Sequence, residues 1–376
     1  MRAIPDPVGW WCGLGRPLRR LPRWGAVLVV ALTIAACLWS GPATMAYRHG
    51  FSTDMHKREK RGDRKDFDLY ETIDRRIAAG EDYYVAALEE QRSSRYPTKP
   101  FITVRTPVLA WGSLPFGLPG WRVVAIGLWL ATMLGLVGLL AGLTRTPERI
   151  GAALAAGAFG AVAFMPRVGL SHEIVSGLFV SAALAFYRPH RWWPSLLLAA
   201  AGLAVRELAL PFVLLWAAFA ASQRRWREFA AVAAVLVLFG VGMAFHAQAV
   251  MAQQLPTDLV SPGWNGLQGP ALALFGLVTV TPLQALLPYW LAAPLAVLPL
   301  LGWVALGARA GLFGALWYAG YLLAVSLFGR QENFYWLSLM LPAYGVGLAL
   351  VPRACADLVS ALRRPPRAAG SGSPGA

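Results

Sequence analysis

Apolar blocks recur along this chain between short loops that carry arginine, and that pattern leaves few folds open. The blocks cover 24–46, 121–143, 150–166, 173–187, 194–222, 229–246, 271–308, 311–328 and 336–352. Several approach the ~20 residues that cross the hydrocarbon core of a bilayer. They are apolar throughout rather than striped, so no face is reserved for water. Charged residues fill 14% of the 376 positions, against roughly 25% in soluble domains. The chain reads as an all-α membrane protein, a polytopic helical bundle. Its net charge of +15 then reports topology and membrane lipids rather than nucleic acid, because Lys and Arg collect where apolar blocks end. Cys12, Cys37 and Cys355 show neither metal-type spacing nor an obvious pairing.

Short arginine-rich loops mark the cytoplasmic side of a membrane. Five clusters are placed there: Arg19, Arg20 and Arg23; Arg145 and Arg149; Arg188 and Arg191; Arg224, Arg225 and Arg227; and Arg353, Arg363, Arg364 and Arg367. Residues 1–23 form a basic cytoplasmic N-terminus and 24–46 a first transmembrane helix. That order resembles a signal peptide, but the long basic segment favours a retained helix. The block 194–222 lies between two arginine loops and so crosses an even number of times. Two short helices, about 194–205 and 208–222, fit this, with Arg206 and Glu207 at an outer turn. A single tilted helix of 29 residues would put one arginine loop on the wrong side. Residues 275–288 are Pro-interrupted and read as re-entrant, with 289–308 crossing back. The bundle, 121–352 after the first helix, then makes about ten passes. Both termini lie in the cytoplasm, 353–376 is a disordered tail, and the location is a bacterial inner membrane.

Residues 47–120 are the one large hydrophilic region and hold eleven of the nineteen acidic residues. They are basic as well (Lys57, Arg58, Lys60, Arg61, Arg64, Lys65), but long loops escape the charge rule, so the loop is placed outside. Leu69, Tyr70, Ile73 and Ile77 recur at helical spacing, with Gly80 as a stop. A second short helix follows at 81–92, and 100–120 suits a segment along the bilayer surface. Together these make a platform over the bundle.

Asp66-Phe67-Asp68-Leu69-Tyr70 and Gly80-Glu81-Asp82-Tyr83-Tyr84 carry a resemblance. With a first helix, a large outer loop and many short helices around them, they resemble the GT-C class of integral membrane glycosyltransferases, in the polyprenol-phosphate-mannose branch. The resemblance implies hexose transfer from a lipid-linked sugar donor to a glycan, lipid or protein acceptor, with an Asp of the first outer loop as base. It covers the loop by motif and the rest by topology. Asp66 holds the motif position, and Asp68 is the second choice, since two residues along a helix point apart by about 200°.

The chemistry fits those residue types. Transfer to a hydroxyl needs a base near the acceptor oxygen. The departing phosphate needs cations, and the planar fork of arginine binds its oxygens in pairs. Candidate substrate-binding residues are Tyr70, Arg105, His172, Glu173, Arg206, Glu207, Arg330, Glu332, Asn333 and Tyr335. Each has a plainer reading. Asp66 and Asp68 could simply cap or solvate a helix, Arg206 could pair with Glu207 or Glu173, and 329–336 could be an interfacial aromatic belt. The scattered histidines offer no paired spacing. No metal or other cofactor is expected, although a divalent ion between outer carboxylates stays open. A glycine-rich phosphate loop after a strand is missing, which leaves a nucleotide donor unsupported. Two rivals remain: a transporter or flippase, and a catalytically inactive assembly factor.

Overall fold

The computed structural model describes residues 6–60 and 66–364. Arg61, Arg64, Lys65, Arg367 and the tail from 365 onward lie outside them. Among the described residues every regular element is helical. The order is α1 (Pro7–Leu14), α2 (Arg23–Lys60), α3 (Asp66–Ala78), α4 (Tyr83–Ser93), α5 (Val108–Leu140), α6 (Thr146–Phe159), α7 (His172–Phe186), α8 (Trp193–Val205), α9 (Leu210–Ser222), α10 (Trp226–Gln253), α11 (Pro270–Val280), α12 (Leu283–Leu286), α13 (Tyr289–Leu306), α14 (Ala308–Phe328) and α15 (Val346–Leu362). Among the described residues six helices are long and apolar enough to cross a membrane. The chain is an all-α membrane protein.

Its two ends differ. At one end arginines tie neighbouring segments together: Arg16 to Asp357 (2.8 Å), Arg353 to Glu148 (2.7 Å) and Arg225 to the Tyr187 hydroxyl (2.9 Å). At the other, α3 and α4 form a cap. Leu69, Ile73 and Ile77 of α3 recur every four residues, fall on one face and are buried. They pack with Tyr83, Ala86, Ala87 and Leu88 of α4, with Val104 and Ala110, and with Val250 near the end of α10. Gly80, at φ 93°, ends the first helix in a conformation that other residues rarely adopt. Asp82 caps α4 by accepting from the backbone N–H groups of Tyr84 and Val85. A second tie runs from Arg92 to Asp258 (2.7 Å), which also accepts from the Thr98 hydroxyl. The Arg92 guanidinium holds that carboxyl well below its usual range.

Two backbone features set the positions of the helices that matter most. In α5, Gly117 breaks the helix (φ 60°) between Pro115 and Pro119, so 108–116 and 118–140 run in different directions. Between α8 and α9, Arg206 is extended (φ −149°, ψ 118°). The block 194–222 is therefore two short helices, and the single tilted helix is ruled out. Close helix contact is made through small residues. A Cβ on Gly302 of α13 would stand 1.9 Å from the Gly347 carbonyl oxygen of α15.

Several boundaries depart from the sequence reading. The first long helix runs to Lys60 rather than stopping at 46. The N-terminal segment folds as α1, capped by the Asp6 side chain. Residues 336–352 are not one helix: a 3₁₀ stretch spans Gln331–Met340, and α-helix starts only at Val346. Pro342 lies between them and has no N–H to continue the ladder. Residues 353–362, read as disordered tail, are the second half of α15, because Arg353 and Asp357 find partners on neighbouring segments.

Candidate functional site

The site begins where α8 stops. The extended turn at Arg206 sends its side chain inward, where it is 2% exposed. Its Nε donates to Glu173 Oε1 at 2.7 Å, and Nη1 donates to Glu207. Glu173 lies in the first turn of α7, and that helix is held against α8 by the Ser176 hydroxyl, which donates to the Gly202 carbonyl. Arg105 arrives from the short irregular segment before α5. Its guanidinium stands 3.6 Å from the same Glu173 oxygen and donates to the Tyr335 hydroxyl at 3.4 Å. Three further bonds fix this meeting point. The Tyr83 hydroxyl donates to the Arg105 carbonyl (2.8 Å), and the Thr106 hydroxyl donates to the carbonyls of Ala204 (2.9 Å) and Val205 (3.2 Å).

The cluster balances two guanidiniums with two carboxylates. Burying such groups costs several kcal/mol per ion, so the arrangement is poor evidence for stability alone. One donor is left over: Arg105 Nε is buried without a hydrogen-bond partner. Buried donors of this kind are rare and ask for an acceptor.

A small, partly open cavity adjoins the cluster, with Tyr70, Asp74, Tyr83 and His172 among its walls. The Tyr70 and His172 ring centres stand 5.1 Å apart, with the rings tilted by 57°. Asp74 was not singled out by sequence. It points with Ile73 into the same cavity, and burial pushes its carboxyl up to about 6, with the Ser113 hydroxyl opposing.

The chain finds no match among protein-family profiles, curated proteins or solved structures. Function has to be read from the site's own chemistry.

The residues predicted from sequence divide into three groups. Arg105, Glu173, Arg206, Glu207 and Tyr335 meet directly, with Tyr70 and His172 beside them. Asp66 and Asp68 lie above, near the start of α3. Asp66 is exposed and accepts a hydrogen bond from the Tyr96 hydroxyl. Burial and the Asp66 charge push the Tyr96 phenol up, so it keeps its proton and donates. Asp68 pairs with Arg167 at 2.8 Å, and Glu71 pairs with the same arginine at 3.2 Å. Arg330 pairs with Glu332 (3.3 Å), and the Asn333 side chain accepts from the Arg330 backbone N–H (2.9 Å). Asn333 thus caps its own turn and is 6% exposed, a plainer role than sugar binding. Among the described residues no group of three His, Cys, Asp or Glu could hold a metal ion.

Proposed function

We propose that the chain is a membrane glycosyltransferase, moving a mannose-like hexose from a polyprenyl-phosphate carrier to an acceptor hydroxyl at the capped end of the bundle. The buried, unpartnered Nε of Arg105 carries this reading. It is an unbonded N–H of a planar cation whose Nη2 already reaches the Tyr335 hydroxyl, set at a junction of three bundle segments. Asp66, oriented by Tyr96, takes the proton from the acceptor hydroxyl, and Asp68 is the alternative. The acceptor oxygen bonds to the anomeric carbon as that carbon's bond to the phosphate oxygen breaks. The electron pair leaves on the carrier phosphate, where Arg105 meets the growing negative charge. Glu173 holds Arg105 and Arg206 apart at fixed positions.

In this reading the six long helices and the four shorter ones α6–α9 make ten passes, with α11 re-entrant. The arginine-rich end is cytoplasmic, the cap faces outward, and the membrane is a bacterial inner membrane. A transporter would place its charges near the middle of the bundle. Here Arg206 ends α8, Glu173 begins α7 and Arg105 precedes α5, so the charges belong to turns.

The donor class tests the proposal. Membranes holding the full chain are given labelled polyprenyl-phosphate hexose or labelled nucleotide hexose. Label is expected to leave the lipid donor and not the nucleotide. Transfer from the nucleotide alone would overturn the donor assignment. No transfer from either would favour the transporter or the inactive factor.

A further inference from the structure

The arginine-rich end holds a second site, independent of any transfer chemistry. A small, partly open apolar cleft lies among α5, α7, α9 and α14, walled by Leu139, Leu184, Phe212, Trp216 and Phe313, with Arg309 at its side. The Arg309 guanidinium lies 4.6 Å from the Tyr187 ring centre and 5.5 Å from that of Phe219, so its plane is held in place. It donates to the Gln223 side chain. Its distance of 3.7 Å to Glu228 is too long for a hydrogen bond.

Glu228 does not need Arg309. Its side chain is 1% exposed, and it pairs with Arg225 at 2.6 Å. It also accepts from the Tyr187 hydroxyl (3.0 Å) and the Trp216 indole N–H (2.5 Å). One carboxylate therefore stands against two guanidiniums. Arg188, Arg191 and Arg224 add charge from the two adjoining loops, 187–192 and 223–225, neither of which carries an acidic residue, and Arg227 adds more from the first turn of α10 beside Glu228.

A cation with donors to spare beside an apolar cleft fits an amphiphile better than a free ion. We infer that this is a binding site for an anionic phospholipid, with the phosphate on Arg309 and an acyl chain lying along the apolar cleft. Basic pockets between helices hold such headgroups elsewhere, and the planar fork of arginine suits a phosphate.

The full chain is placed in bilayer discs of equal phosphatidylglycerol and phosphatidylcholine, then extracted in mild detergent. Native mass spectrometry counts the lipid that stays bound. Phosphatidylglycerol should be retained in preference. Arg309→Ala should lower that retention about tenfold, the loss of one charge-assisted contact. Ala310→Leu, which fills the cleft and leaves every charge in place, should lower it as well. A melting curve checks each variant, and Ala310→Leu decides the matter if Arg309→Ala fails to fold. Equal retention of the two lipids, or wild-type retention in Ala310→Leu, would overturn the proposal. So would displacement of the lipid by inorganic phosphate that binds equally in wild type and Ala310→Leu, since that would make the site one for a simple anion.

Discussion

Arg105 joins the cap, the bundle and the proposed substrate, so its variants separate charge from shape. Lysine keeps the charge but loses the fork that matches phosphate oxygens. Arg105→Lys is expected to reduce transfer roughly ten- to a hundredfold, and Arg105→Ala further, at unchanged membrane levels. Equal activity in both variants and wild type would remove Arg105 from the site. Asp74 offers a pH test. Its folded pKa of about 6 lies above the ordinary 3.8, so between those values the folded chain keeps a proton that the unfolded chain has lost. Stability therefore falls as pH rises from about 4 to about 6, and stays lower above. Asp74→Asn removes the ionisable group. It should raise the melting temperature in detergent by a few degrees at about pH 8 and leave it unchanged near pH 4. Equal shifts at both pH values would contradict the burial of this carboxyl. Residue chemistry was only partly legible in sequence. Arg206 and Glu207 stood out because charges inside an apolar block need a reason. Asp74 did not, because it sits among ten other acidic residues of the same loop and its burial depends on α5 and the Gly169–Leu170 turn.

Among elements, the α8–α9 turn and the α13–α15 crossing carry the sharpest expectations. Arg206→Ala would leave Glu173 and Glu207 facing each other in a buried space, at a cost of about 3–5 kcal/mol. A lower melting temperature for Arg206→Ala, partly restored by adding Glu207→Gln, would confirm the pairing. No change would mean that water reaches the turn. A methyl on Gly302 would overlap backbone of α15 and should cost at least 1–3 kcal/mol. Gly240 of α10 has open space where its Cβ would be, so Gly240→Ala should be neutral or slightly stabilising. The split of 194–222 was legible because arginine loops at both ends demand an even number of crossings. The 3₁₀ stretch at 331–340 was not, because apolar composition looks alike in either kind of helix. The full length of α15 was hidden by its arginine. Arg353 looks like the start of a cytoplasmic tail until Glu148 is seen beside it.

At the scale of the whole molecule, sidedness is the common assumption of both proposals. Single cysteines replacing Ser93 in the cap and Arg224 in the arginine-rich loop, both exposed, in a chain with its native cysteines changed to serine, should be labelled from opposite faces of intact vesicles. Labelling from the same face would break the ten-pass reading. The segments that meet at Arg105 carry Glu173, Arg206 and Tyr335, which follow it in the chain by 68, 101 and 230 residues, and no spacing rule connects them. Only the folded bundle puts Glu173, Arg206 and Tyr335 around one guanidinium. The central claim is that this junction, with Asp66 above it, performs transfer from a lipid phosphate. The most direct measurement is the rate of hexose transfer from labelled polyprenyl-phosphate hexose in membranes holding the intact chain, Asp66→Asn, Asp68→Asn or Arg105→Ala at matched levels. Loss of ~10²-fold or more in one Asn variant and in Arg105→Ala is the predicted result. Transfer at the wild-type rate in all three would contradict it.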